Sequence, residues 1–302
     1  MSLTARSLAA RSLLPAVLAL TVAAATGCAP QDDPPAAGTP TGASGPASAS
    51  GSGCAAGGLA TRTKGKLTVG TDKPAYAPWF QDDDPASGKG FESAVAYAVA
   101  KTLGYGADQV VWQTVPFNNS FAPGSKSFDF DINQVSISDE RKRAVDFSSG
   151  YYDVRQAVVA LKSSPFAGAK NAAALKGAKL GAQVGTTSLD TVDEIIKPSR
   201  QPAVFQKNDF AKSALRNGQV DAIVVDLPTA FYITSAEVPD AKVVGQFTGS
   251  SGDAEQFGLV LDKGSALTSC VTRAVDTLRA DGTLAELEKR WLSDAVDVPV
   301  LK

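Results

Sequence analysis

The sequence predicts an α/β protein built as two lobes, and three observations carry that expectation. After residue 66, short apolar runs of strand character alternate with segments whose apolar residues recur every three or four positions. The stretch from there to the last residue runs roughly 235 residues, longer than one hydrophobic core usually serves and suited to two. The continuous apolar run QAVVAL at 156–161 opens a second series of strand and helix units, and FGLVL at 257–261 reads as a return to the first.

Taken in order, 66–71 (KLTVGT) is a strand. Phe91, Val95, Val99 and Leu103 then place one apolar stripe on a helix over 91–103. Strands are expected at 109–114 and 130–132, and the QAVVAL strand follows. The second series holds a strand at 179–183, a helix near 188–196, a helix at 209–216, a strand at 221–225, a helix at 228–233 and a strand near 242–244. Leu267, Val271, Val275 and Leu278 form a helical stripe, as do Leu284, Leu287 and Trp291, so the chain closes on two helices. Alternation of this kind argues for mostly parallel sheets.

The ends and the composition bound the function. In residues 1–27, Arg6 and Arg11 precede an apolar stretch at 13–25 that is too short for a stable membrane span, the pattern of a secretory signal. It ends Ala25-Thr26-Gly27-Cys28, which resembles the bacterial lipobox, where the cysteine is lipidated and becomes the new N-terminus. An ordinary signal peptide cut nearby is the alternative. From Ala29 to Gly53 every residue except Gln31, Asp32 and Asp33 is Ala, Pro, Gly, Ser or Thr. Such a segment has too little apolar side chain to offset its ordering entropy and is expected to act as a disordered tether spanning about 25–30 Å. The expected organisation is therefore a signal at 1–27, a lipidated cysteine and tether at 28–65, a first lobe from 66–154 plus 257–302, and a second lobe from 155–256.

With 29 basic and 31 acidic residues the net charge is −2, and nothing resembles a nucleic-acid surface. Histidine is absent, which excludes Ser-His-Asp chemistry and His-ligated metal within the chain. No cofactor or metal is expected, and the folded body is expected to be monomeric. Of three cysteines, Cys28 is assigned to lipid. Cys54 and Cys270 are left as an even pair in an oxidising compartment, where a disulfide is expected. Two buried free thiols are the alternative. A bridge closing so long a loop would contribute roughly 5 kcal/mol in the chain-entropy model.

The most informative stretch is FDFDINQVSISDERKRAVDFSSGYY at 128–152. It joins a buried-looking strand, a polar pair, two serines and a charged turn carrying Arg141. Free backbone amides beside an arginine fork suit a carboxylate. The stretch resembles the signature of solute-binding proteins that deliver polar amino acids to ABC importers. The blocks KLTVGTD, GFESAVAYAVAKTLGY, DERKRAVDFSSGYY, GAQVGTT, NGQVDAIVVDLPTA and LRADGTLAELEKRWL also resemble blocks of that family, in the family's order. The resemblance covers nearly the whole body. It implies a periplasmic-binding-protein-like fold of type II, with two crossings near 151–156 and 253–257 and a ligand cleft between the lobes.

A free amino acid presents a carboxylate and an ammonium on one carbon, and desolvating both is costly unless each is paired. By resemblance, Arg141 clamps the carboxylate bidentately with help from the amide and hydroxyl of Ser136. Thr187, at a helix N-terminus with a capping box to Asp190, completes that site from the other lobe. Asp226 takes the ammonium; its alternative role is the N-cap of the helix near Pro228. Tyr76 and Phe117 lie where the family sandwiches the ligand side chain. Asp72 holds an amide or cationic side chain or caps the turn at Lys73-Pro74, and Gln183 lines the same pocket. Asn133 and Gln134 depart from the small residues usual in the family, so they are where specificity is expected to reside.

The implied function is high-affinity binding of a free polar L-amino acid, with glutamine, asparagine or a basic amino acid as the leading candidates. Delivery would be to an ABC permease and ATPase complex by hinge closure, from a site outside the cytoplasm that is lipid-anchored to the cell membrane. Three other functions remain open on the residues: a ligand-sensing receptor domain with the same chemistry, a secreted cyclohexadienyl-dehydratase-like enzyme using a cleft acid, and a purely adhesive role. An enzyme is not expected, because the cleft carries no histidine and no evident acid beyond Asp72 and Asp226.

Overall fold

The computed structural model describes residues 53–248, 255–292 and 298–302. The expected signal, Cys28 and all but the last residues of the tether lie outside the described residues, as does part of the second expected crossing.

Two five-stranded sheets organise the body. In the first, β1 (Leu67–Thr71) runs parallel to β2 (Val110–Thr114) and β3 (Phe130–Asp131). β10 (Glu255–Leu261) pairs antiparallel with β3 and with β4 (Asp146–Val154), giving the order β2-β1-β3-β10-β4. One face is covered by α1 (Phe91–Thr102) and the closing pair α7 (Thr268–Ala280) and α8 (Thr283–Trp291). The expected stripe Phe91, Val95, Val99 and Leu103 is buried there, together with Val271, Val275 and Leu278. Cys54 and Cys270 are bonded with their Cα atoms 5.4 Å apart, which pins the start of the body to α7.

The second sheet has the order β7-β6-β8-β5-β9, from β5 (Gln156–Leu161), β6 (Leu180–Gln183), β7 (Ala203–Phe205), β8 (Ala222–Asp226) and β9 (Ala241–Phe247). The unbroken apolar run of β5 has a physical reason. Ala157 and Val159 enter a core with Ala211, Leu215 and Ile233, while Val158 and Ala160 enter another with Leu175, Leu180 and Ile196. Both faces are covered, so neither can be polar. Helices α4 (Thr187–Asp190), α5 (Asn208–Arg216) and α6 (Leu227–Tyr232) flank this sheet, and α4 and α6 run on into wide π-type turns. In the first sheet's connections lie two single-turn helices, α2 (Phe117–Ser120) and α3 (Asp139–Lys142).

Two sequence expectations are corrected. The sheets are mixed rather than mostly parallel: β10 in the first and β5 in the second run antiparallel to both neighbours. These are the strands that carry the chain between sheets, and a strand arriving from the other lobe needs no helical crossover. DFSSGYY forms most of β4, paired along β10. Finally, residues 298–302 do not stay with the first sheet, although they follow α8. Val300 bridges to Gln246, Leu301 donates its N–H to the Gln246 carbonyl at 2.8 Å, and its side chain is buried against Gly245. The tail covers the outer edge of β9, an otherwise unpaired row of backbone groups.

Only Arg155 separates β4 from β5, and Glu255 begins β10. Among the described residues no helix is long and apolar enough to cross a membrane.

Candidate ligand site

A narrow cleft lies where the two sheets face each other, and all nine sequence-predicted ligand residues line it. From the first sheet's side come Asp72, Tyr76, Phe117, Gln134, Ser136 and Arg141; from the second come Gln183, Thr187 and Asp226. Asn133, Thr186 and Asn208 complete the wall.

Arg141 owes its place to the one-turn helix α3. The Ser138 hydroxyl caps that turn by accepting from the Arg141 N–H at 3.2 Å. Arg141 is 9% exposed, and its guanidinium carbon lies 4.4 Å from the ring centroid of Phe121 and 5.9 Å from that of Phe117. Its Nη1 donates to the Ser136 carbonyl at 2.7 Å and its Nη2 to the Gly185 carbonyl at 2.9 Å, so it reaches across to the second lobe. Two of five N–H donors suffice for those bonds, leaving donors for an anion. Burial lowers its pKa, and Asp190, Glu255 and Asp226 oppose that shift. Phe117 therefore carries the arginine as well as lining the cleft.

Ser136 is fixed by pairing with Phe257 at the start of β10, with Ile137 N–H on the Gln256 carbonyl at 2.8 Å and Gly258 N–H on the Val135 carbonyl at 3.0 Å. Its hydroxyl lies 3.2 Å from Thr187 Oγ1 across the cleft and donates to Glu255 Oε1 at 2.5 Å. The expected capping box at Thr187 is displaced by one residue. Thr186 is the cap, accepting from Leu189 N–H at 3.2 Å, because its own φ and ψ are extended while Thr187 is already helical. The shift leaves the Thr187 hydroxyl facing Ser136 and Gln156.

Asp226 stands at the N-cap position of α6, yet its side chain makes no capping bond. It faces Gln156, its direct partner in the β5–β8 ladder, and accepts from Nε2 at 2.9 Å. Burial and then the nearby Glu255 carboxylate push Asp226 up to about 7, against the Gln156 hydrogen bond. Gln156 is held in turn by Ser188, whose hydroxyl donates to Oε1 at 2.6 Å. Sequence reasoning missed Gln156, Glu255, Asn208 and Phe121. The available signal was position: Gln156 and Glu255 are the polar residues that open the two crossing strands.

At the other end, Asp72 accepts from Lys73 N–H at 2.7 Å, so it caps its turn while lining the cleft. Gln183 Oε1 accepts from Asn208 N–H at 2.9 Å, which ties two wall residues together. Gln134 has φ +49, and Glu92 accepts from its backbone N–H at 2.7 Å and from its side-chain Nε2. Trp79, buried beneath, donates Nε1 to Thr229 Oγ1 of the second lobe at 3.0 Å. A cleft with an arginine on one wall and a carboxylate on the opposite wall can hold a zwitterion. Among the described residues no group of three acids or cysteines is arranged to hold a metal ion.

Two lobes joined by crossing strands around a polar cleft define a solute receptor. The chain matches the model of the bacterial extracellular solute-binding proteins, family 3, over residues 67–294, and it belongs to that family. It is 32% identical over 241 residues to the L-cystine-binding protein TcyJ of Escherichia coli (strain K12), covering 78% of this chain and 86% of that one. It is 27% identical over 216 residues to the ABC transporter glutamine-binding protein GlnH of Bacillus subtilis (strain 168), covering 70% and 76%. Among solved structures, an ancestral arginine-binding protein bound to arginine superposes with a TM-score of 0.63 at 30% identity, over 76% of this chain and 99% of that one.

Proposed function

We propose that this protein binds a free polar L-amino acid in the cleft and presents it, in the closed form, to an ABC permease. The observation that carries the reading is the opposition of Arg141 and Asp226 across one cavity, Arg141 bonded across it to the Gly185 carbonyl and Asp226 held by Gln156 of its own sheet. In this reading Arg141, the Ser136 hydroxyl and Thr187 hold the ligand carboxylate, and Asp226 holds the ammonium. Asp72, Gln134 and Gln183, with Tyr76 and Phe117 at the sides, receive the side chain. A wall so rich in amides and carboxylates favours a polar side chain, and the relatives' ligands, cystine and glutamine, are consistent with that.

Because the ligand is gripped from both lobes, its binding energy favours the closed form. The lobes we assign are 66–154 with the return from 257, and 155–256, with residues 298–302 strapped onto the second. Cys28 anchors the protein to the outer face of the cell membrane through lipid, which mass spectrometry of the mature N-terminus tests. The protein turns nothing over: it carries its ligand unchanged.

The decisive experiment is a thermal-shift screen over the twenty amino acids plus L-cystine. A ligand at 100 times its Kd should add about 2.7 kcal/mol of stability. A flat response to the whole panel overturns the amino-acid reading. Product formation from a bound amino acid or a prephenate-like acid would instead favour an enzyme.

A further inference from the structure

Gln134 is an outlier twice over. It stands in the left-handed backbone region, at φ +49, where a residue with a β-carbon is disfavoured. It also puts a long amide into the cleft wall. What holds it there is Glu92, on the first turn of α1, behind the sheet floor. Glu92 is 0% exposed. Its Oε1 accepts from the Gln134 backbone N–H at 2.7 Å, its Oε2 accepts from Gln134 Nε2, and the Tyr151 hydroxyl donates to Oε1. A buried carboxylate with no ion-pair partner among the described residues is costly, and these three donors are what offsets the cost. Two of the three belong to one cleft residue, gripped at both its backbone and its side chain. A merely satisfied core acid has no reason to grip both ends of a strained residue.

We infer that Glu92 is a positioning residue for ligand selectivity: it fixes the Gln134 amide in the cleft wall and so sets the shape and polarity of the side-chain end of the site. The inference rests on the amino-acid reading of the cleft, but its central contact can be tested without ligand. Glu92 does not line the cleft and acts only through Gln134, whose amide it anchors by the nitrogen.

The test uses the folded body, with Glu92→Gln, Gln134→Gly and the double variant, and L-cystine, L-glutamine, L-arginine and L-histidine as calorimetric probes. Glu92→Gln places an NH2 where Gln134 Nε2 needs an acceptor, so the Gln134 amide either turns over to accept with its oxygen or comes free, and both change the group it shows to the cleft. The expected result is a change of about fivefold or more in the ratio of affinities among the probes, with no further change when Glu92→Gln is added to Gln134→Gly. If Glu92→Gln leaves the ratios unchanged, or if its effect persists in the Gln134→Gly background, the inference is overturned. In ligand-free protein, the backbone and side-chain amide resonances of Gln134 should follow the titration of Glu92 in the wild type and not in Glu92→Gln. Their failure to follow it overturns the clamp by itself. Wild-type protein that binds none of the twenty amino acids or L-cystine while these resonances do titrate would sink the ligand reading and leave the clamp standing. If Glu92→Gln does not fold, Gln134→Leu keeps the acid and the volume and should give the same change in selectivity.

Discussion

Glu92 and Asp226 are both acids pushed up to about 7, and in both the largest cause is burial. What surrounds them is opposite. Glu92 is sealed and has three protein donors, from Gln134 and Tyr151. Asp226 lines a cavity and has one close donor, Gln156, with a second carboxylate, Glu255, near it. A carboxylate can accept about four hydrogen bonds. The first acid has spent its capacity on architecture, whereas the second keeps its capacity open and is repelled by its neighbour, which is the condition of a group that waits for a cation. A shifted pKa alone does not distinguish a structural acid from a ligand acid; the count of partners does.

The largest effect that would break this comparison is at Asp226. Asp226→Asn should cost at least about 2 kcal/mol of amino-acid affinity in calorimetry, because the ligand ammonium loses its partner. The ligand-free protein should keep its thermal stability, since a repelled carboxylate is removed. Normal binding by this variant, or by Arg141→Ala, would refute the clamp.

The next effect separates the two acids by pH. Asp226 carries its proton below about 7, so affinity should fall as pH drops through that value, and binding near pH 7 should release a proton. Calorimetry in buffers of different ionisation enthalpy reads that release, and Asp226→Asn should abolish it while Glu92→Gln should not. For folding the sign is reversed. An acid whose folded pKa lies above its unfolded one adds stability that is fully present at low pH and is lost as pH rises through the folded value. Glu92, Asp226 and Asp131, whose burial also raises it, all act in that direction. The ligand-free melting temperature should therefore fall between about pH 5 and pH 8, and less steeply in Glu92→Gln. A profile that is flat in the wild type would remove the common origin of the two shifts.

The smallest effect is at the closing surface. Gly185 has φ +73, and a β-carbon there would sit 2.3 Å from Asn118 Oδ1 of the first lobe. Gly185→Ala should prop the cleft and weaken binding by about 1–2 kcal/mol, mostly through faster release, with little loss of fold. Unchanged release kinetics would mean that the lobes close without this contact.

Much of this was legible in the sequence because it is local. The stripe of α1, the two-sided apolar run of β5 and the paired helices at the end are periodicities that any one segment displays by itself. Arg141 was legible only through its flanks, VSIS and DFSSGYY, which resemble the family signature; the cap that Ser138 places on its turn was not read from the sequence. Asp226 was legible as a candidate, but its choice between capping α6 and facing the cleft was not. That choice depends on Gln156, a residue 70 positions away that the β5–β8 register sets opposite it. Glu255 and Gln156 carry no motif; they matter because both crossing strands begin at one place. Glu92 in GFES reads as an ordinary first-turn acid.

The sequence by itself determined the alternation of strands and helices, the cysteine pair and the charged groups able to meet a zwitterion. Only the tertiary structure decided that β5 and β10 run against their neighbours, that the tail straps the edge of β9, and which acid is open and which is sealed. The physical reason is that propensity and periodicity act over a few residues. Burial and hydrogen-bond capacity belong instead to whatever the fold brings into contact, from Ser136 and Glu255 at 119 residues apart to Glu92 and Gln134 at 42.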